Sequence, residues 1–289
     1  MTASMKLSAP AKINLGLTVT GKRADGYHDL VSVMQTVSLA DTVILEPSEL
    51  GNIQFFCSEP ALAGDDNLVW QAAKLLSGTI DRRLAGVKIT LIKNIPLAAG
   101  LAGGSSDAAA VLRGLNQFWQ LELSEQQLSV LALQLGSDVP FCLHGGTYLA
   151  RGRGEILEPL PKLPLFWVVL GILPEMQIST AAAFNSFDTG RTGQPDITEL
   201  INAVRRQDRG KIIAWLGKDF TNTLETAAVP GSVCLQQFKK RLTEAGLRPV
   251  FSGSGPTYYM LYDHFNEAAQ AARVVENSGA RAYLCWTVS

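Results

Sequence analysis

Pro96-Leu97-Ala98-Ala99-Gly100-Leu101-Ala102-Gly103-Gly104-Ser105-Ser106-Asp107 lies between a strand-like run, Val87 to Ile92, and a helix-like run, Ala108 to Trp119. A loop poor in side chains that opens a helix exposes backbone N–H groups, and the helix dipole adds partial positive charge there. Such a place favours a phosphate. Ser105 and Ser106 add hydroxyls that can donate to phosphate or ligate magnesium. The stretch is not a Walker A loop, because Gly21-Lys22, Gly210-Lys211 and Gly217-Lys218 are followed by Arg, Ile and Asp rather than Ser or Thr. Gly100-Leu101-Ala102-Gly103-Gly104 also lacks the G-x-G-x-x-G spacing of dinucleotide-binding turns, and no G-x-S-x-G elbow is present. Taken alone, a glycine cluster is better explained by close packing than by phosphate binding.

The 289 residues are enough for two domains or one large one. A hydrophobic content of 47% with 18% charged residues indicates a substantial core. The net charge of −1 argues against a nucleic-acid binder held by phosphate contacts. Cys57, Cys142, Cys234 and Cys285 are far apart and form no C-x-x-C, as expected of reduced thiols in the cytoplasm. The first eight residues carry no apolar signal-peptide core. Leu165 to Leu173, the most apolar run, is bounded by Pro164 and Pro174 and is too short to span a bilayer. A soluble protein with no membrane or nucleic-acid partner is expected.

Ile13, Leu15, Leu17 and Val19 alternate with Lys12, Asn14, Gly16 and Thr18, which predicts a strand with one apolar face. Further strands are predicted at residues 30–39, 42–45, 53–57 and 87–92, and a helix at 68–76. After the loop, Ala108, Val111, Leu112, Leu115, Phe118 and Trp119 recur at helical spacing. Ser124-Glu125-Gln126-Gln127 matches a capping box for a helix ending near Leu135. Arg151-Gly152-Arg153-Gly154, followed by Pro159, Pro161 and Pro164, marks a domain boundary, giving domains 1–158 and 159–289. Beyond it the pattern predicts strands at 165–172, 249–251, 257–261 and 282–287. Helices are predicted at 178–187, 197–205, 212–216, 233–245 and 266–276. Strands and helices mix without strict alternation, so the fold class is α+β in two domains.

Four more segments stand out. Pro10-Ala11-Lys12-Ile13-Asn14 puts a cation and an amide on the polar face of the first strand, an exposed sheet face unless functional. A functional Lys12 would offset phosphoryl charge or hold a carboxylate ionised. Asp138, in Gly136-Ser137-Asp138-Val139-Pro140-Phe141, follows a helix end amid apolar residues. A buried carboxylate there needs a partner, for which Lys12 is a candidate. Arg23-Ala24-Asp25-Gly26-Tyr27-His28 reads as an Asp-Gly turn whose Tyr and His can form a stacking and hydrogen-bonding wall. The other histidines, His144 and His264, make no i,i+4 pair, so no zinc site is expected. Phe251-Ser252-Gly253-Ser254-Gly255-Pro256-Thr257 is either a tight turn or a second set of backbone donors for phosphate.

Together these segments resemble the GHMP kinase superfamily. Its members carry a Pro-Ala-Lys-like N-terminal stretch, a Gly/Ala-rich phosphate loop and a C-terminal Gly-Ser-Gly-Pro-like turn, which occur here in that order. The resemblance spans nearly the whole chain. It is sharpest towards the branch acting on a cytidine-diphosphate-linked methylerythritol in the non-mevalonate isoprenoid pathway. There the Gly26-Tyr27-His28 turn, the Gly103-to-Asp107 loop end and Gly152-Arg153-Gly154-Glu155 also match. Ala98 and Ala102 stand where more glycine-rich relatives have Gly.

The resemblance implies a ribosomal-protein-S5-like N-terminal α/β domain and a ferredoxin-like C-terminal one. It implies a small-molecule kinase that uses ATP with Mg2+ and phosphorylates the 2-hydroxyl of that alcohol. By the same carry-over, Pro96 to Ser106 bind ATP, and Asp138 and Lys12 are catalytic. Asn14, Tyr27 and His28 bind substrate, with the Tyr-His pair addressing cytosine, and Phe184 stacks on the base. Magnesium is expected on phosphate oxygens, with Ser106 a possible ligand and no evident carboxylate for it. The adenine pocket falls near residues 62–67 and 93–95. Rival readings are a homoserine or mevalonate-type kinase, a non-catalytic nucleotide sensor and, most remotely, an RNA-binding protein. The Tyr27-His28 turn speaks against the other kinases, the retention of both Lys12 and Asp138 against a sensor, and the net charge of −1 against RNA binding.

Overall fold

The computed structural model describes residues 4–48, 52–78, 86–174, 176, 178, 180–186, 195–218, 220–228 and 232–288. The chain divides into two compact units. One is drawn from Met1–Ala11, Ala40–Pro96 and Ala102–His144, the other from Lys12–Leu39, Leu97–Leu101 and Gly145–Ser289. Strands β1 (Met5–Lys22) and β2 (His28–Pro47) contribute residues to both.

In the first unit, β3 (Ile53–Cys57) runs parallel to β4 (Val87–Ile92), with Phe55 opposite Ile89. β4 pairs antiparallel with Thr42 to Pro47 of β2. Helices α1 (Leu68–Ser77), α2 (Gly103–Phe118), α3 (Glu125–Leu135) and α4 (Val139–His144) complete it. Asn67 caps α1 by accepting from Val69 N, and Ser124 and Gln127 form the predicted capping box of α3. Gly114 lets α2 approach the sheet closely, since a Cβ there would lie 2.2 Å from Leu7 and 2.7 Å from Leu45.

In the second unit, Leu30 to Gln35 of β2 pair with β5 (Thr147–Gly152), which forms a hairpin with β6 (Ile156–Pro159). An antiparallel sheet follows in the order β10-β7-β9-β8, made of β7 (Trp167–Ile172), β8 (Val250–Phe251), β9 (Tyr258–Tyr262) and β10 (Arg281–Trp286). Helices α5 (Thr180–Asn185), α6 (Thr198–Arg205), α7 (Arg209–Leu216), α8 (Thr223–Ala228), α9 (Val233–Glu244) and α10 (Phe265–Asn277) accompany it. Val169, Phe238, Leu242, Phe251, Tyr258, Ala271 and Val275 form its core. The expected helix at 178–187 is described only as α5; Phe187 lies outside the described residues.

Several elements differ from the sequence reading. The two strands expected at 30–39 and 42–45 are one continuous strand. The Asp41 side chain does not break it, because that carboxylate is buried and accepts from the backbone N–H groups of Asn94 and Ile95. Helix α2 begins at Gly103, five residues before its apolar stripe, because Gly-Gly-Ser-Ser has low helix propensity and hides the first turn. Residues 147–152 and 156–159, for which the sequence predicts no strands, form the β5–β6 hairpin. Helix α4 escapes periodicity because it is only six residues long and carries Pro140 in its first turn.

Candidate active site

The polar face of β1 is buried, not an exposed sheet face. Lys12 and Asn14 are 5% and 1% exposed. Lys12 Nζ donates to Asn14 Oδ1 at 2.8 Å, and Asn14 Nδ2 donates to Ser32 Oγ at 2.8 Å. Ser32 in turn donates to the carbonyl of Gly16 at 2.7 Å, so the amide is held in one orientation. The Tyr259 hydroxyl donates to the Asn14 carbonyl at 3.1 Å.

The glycine loop is tied down on both sides of Gly100. Lys12 N donates to Leu101 O at 3.1 Å, and Thr257 Oγ1 donates to Ala99 O at 2.6 Å. Gly100 has φ +71, and a Cβ on it would lie 2.7 Å from Gly255 O and 2.9 Å from Ser252 O. A Cβ on Gly253 would lie 3.2 Å from Asn14 Oδ1, 3.2 Å from Gly100 O and 3.6 Å from Lys12 Nζ. Lys12, Asn14, Gly100 and the turn at 252–255 therefore meet in one place. Asn222, unnoticed in the sequence, holds that turn by donating to Phe251 O at 2.9 Å and Gly253 O at 2.8 Å.

The loop itself adopts left-handed backbone at Ala98 (φ 51), Gly100 and Ala102 (φ 55). The left-handed region is the one glycine occupies without strain, so both alanines hold a backbone better suited to glycine. Leu97 is exposed and Pro96 half-buried, while Ser106 is buried and donates its hydroxyl to Pro10 O at 2.7 Å.

Behind the start of α2 sits a charge cluster of which the motifs mark only Asp107. Lys93 Nζ is bonded to Asp41 and lies 2.6 Å from Asp107 Oδ2, with all three side chains almost fully buried. A Cβ on Gly103 would lie 3.3 Å from that ammonium. The other oxygen of Asp107 has no partner among the described residues. Burial pushes its carboxyl up to about 7, opposed by the Lys93 charge and assisted by that of Asp41.

Asp138 is half-buried immediately before α4, and its carbonyl accepts from Cys142 N at 3.1 Å. Arg113 of α2 fixes the far end of that helix by donating to Cys142 O at 3.0 Å and Leu143 O at 2.7 Å. Tyr27 is 53% exposed in the turn before β2, whereas His28 is buried. The His28 and Phe184 rings lie 5.5 Å apart at 31°. Burial, with the charge of Lys22 adding, holds the His28 imidazole below its ordinary value, so it is neutral at pH 7. Among the described residues, no group of three or more His, Cys, Asp or Glu is placed to hold a metal ion.

Residues 67–146 match the model of the GHMP kinases N terminal domain. A protein of Exiguobacterium sibiricum named 4-diphosphocytidyl-2-C-methyl-D-erythritol kinase is 46% identical, over 91% of this chain and 90% of that protein. The chain belongs to the 4-diphosphocytidyl-2-C-methyl-D-erythritol kinase family. A relative of the same name from Geobacillus kaustophilus is 43% identical over 90% of this chain and 89% of its own length. A crystal structure of 4-(cytidine 5'-diphospho)-2C-methyl-D-erythritol kinase matches with a TM-score of 0.81 at 34% identity, covering 99% of this chain and 100% of that one. A homoserine kinase from Cytophaga hutchinsonii shares the fold, with a TM-score of 0.73 at 19% identity over 100% of this chain and 95% of its own. The α+β, two-domain GHMP kinase-like fold is thus that of this chain. Among the described residues no helix is long and apolar enough to cross a membrane.

Proposed function

We propose that the protein transfers the γ-phosphoryl group of ATP to the 2-hydroxyl of 4-(cytidine 5'-diphospho)-2-C-methyl-D-erythritol, a step of the non-mevalonate isoprenoid pathway, in the cytoplasm. Family membership over nine-tenths of the chain carries this reading. The convergence of Lys12, Asn14, Gly100 and the 252–255 turn supports it at the level of residues. In this account residues 1–158 form an N-terminal ATP-binding domain and 159–289 a C-terminal one. The loop from Pro96 to Ser106 grips the triphosphate through backbone N–H groups and the start of α2. Tyr27 and Phe184 stack on the two faces of the cytosine, His28 hydrogen-bonds to it, and Asn14 orients the acceptor.

Phosphoryl transfer depends on positioning and charge stabilisation more than on covalent help. The acceptor hydroxyl is tertiary and crowded, so its orientation is demanding. A carboxylate is a weak base towards a free alcohol. Asp138 therefore orients the hydroxyl and takes its proton late, as the bond to phosphorus develops. Lys12 favours the ionised carboxylate and offsets charge on the transferred group. Magnesium enters with ATP, on its phosphate oxygens. The test is the position of the new phosphate. Product NMR should place the newly added phosphorus two bonds from C2 of the methylerythritol, on its oxygen, and a new phosphate on the oxygen of another carbon would refute the assignment.

A further inference from the structure

Gly152-Arg153-Gly154-Glu155 has no part in the chemistry above, yet its geometry is closely fixed. Gly152 has φ +68, and a Cβ on it would lie 2.8 Å from Glu155 Oε2. That same oxygen accepts from Arg153 N at 2.5 Å, so the carboxylate fills the space a side chain would take and holds the turn from within. The turn lays the Arg153 side chain over Tyr27, with the guanidinium carbon 4.5 Å from the ring centroid. Its Nε is 3.8 Å from Glu155 Oε1, too far for a hydrogen bond. Among the described residues no side-chain hydrogen bond of Arg153 is made. Arg23, in the turn that carries Tyr27, is by contrast engaged, through Nε with Asp25 at 3.1 Å and through Nη1 with Asp29 at 3.0 Å.

A guanidinium lying on an aromatic ring keeps its in-plane N–H groups directed outward. A pair of such donors matches two oxygens of a phosphate. We propose that Arg153 is a specificity-determining residue that reads the diphosphate of the acceptor from the platform of Tyr27. This rests on the proposed function, because it takes Tyr27 to stand beside the cytidine. It adds a second criterion to that site, in which the Tyr27-His28 wall selects the base and Arg153 selects for the charged linker.

Calorimetric titration of cytidine and of CDP, with a saturating non-hydrolysable ATP analogue and magnesium filling the ATP site, separates the two criteria. The wild-type protein should prefer CDP to cytidine by about 10- to 100-fold, the range for charge-assisted hydrogen bonds. Arg153→Leu should cut that preference to within a few-fold while leaving cytidine affinity nearly unchanged. Arg153→Lys, which keeps the charge but not the fork, should fall between. An unchanged CDP-to-cytidine ratio in both variants would overturn the assignment, even if both affinities fell together, because that is the mark of a residue that only props the Tyr27 ring. Failure of the wild-type protein to bind either ligand would instead overturn the cytidine reading, and this inference with it.

Discussion

The Thr257 hydroxyl donates to the carbonyl of Ala99 at 2.6 Å across 158 positions of sequence. That bond joins the C-terminal glycine-serine turn to the glycine loop beside Gly100, where carbonyls of Ser252 and Gly255 leave no room for a side chain. Two glycine clusters that look like separate turns are thus one packed unit.

Gly100→Ala tests that packing. The substitution imposes both a left-handed backbone on alanine and contacts below 3 Å with backbone oxygens. It should destabilise the protein by roughly 2 kcal/mol or more and weaken ATP binding. Thermal unfolding together with ATP titration checks this, and an unchanged melting temperature would contradict it.

Asp138→Asn keeps the shape of the side chain and removes its charge. Turnover should fall by about 10²- to 10⁴-fold, the usual share of a positioned acid or base, while ATP still binds. Near wild-type turnover would remove Asp138 from the mechanism.

His28→Ala should raise the KM for the cytidine acceptor about tenfold and leave the KM for ATP unchanged. Because the imidazole is held below its ordinary 6.5, acceptor affinity should be flat above pH 6.5 and decline only in acid. Parallel changes in both KM values would argue for a structural role alone.

Asp107 makes stability depend on pH. Its carboxyl ordinarily titrates at 3.8 and is pushed up to about 7 by burial in the folded protein. Between those values the folded state holds a proton that the unfolded state has lost, so this residue's contribution to stability declines as pH rises from about 4 to about 7. Asp107→Asn, which mimics the protonated form, should flatten that decline. Melting temperatures of the two proteins across pH 5 to 8 should therefore diverge, with the variant gaining on the wild type, and parallel curves would refute the shift.

What could be read from the sequence follows from what each signal measures. Alternation along Ile13 to Val19 located β1, and the capping box at Ser124 located α3, because both are local. Alternation says nothing of whether a polar face is covered, so the burial of Lys12 and Asn14 emerged only with Ser32 and Tyr259 in place. The Lys93 cluster was illegible for the same reason: Asp41, Lys93 and Asp107 are separated in sequence, and of the three only Asp107 lies in a motif, which gives no sign of its partners. Ala98 and Ala102 were silent in another way, since alanine by itself does not mark the left-handed backbone both adopt. The loop, the Lys12 segment and the Tyr27-His28 turn were legible as motifs, whereas their hydrogen-bond partners were not.

The central claim is acceptor identity. The direct measurement is kcat/KM with ATP and magnesium for the cytidine-diphosphate-linked methylerythritol, homoserine and mevalonate, assayed side by side on the purified protein. The account predicts efficient turnover of the cytidine compound and values at least about 10³-fold lower for the other two, as expected when a site built for polar recognition meets an acceptor lacking those groups. Comparable or higher efficiency with homoserine or mevalonate would contradict it.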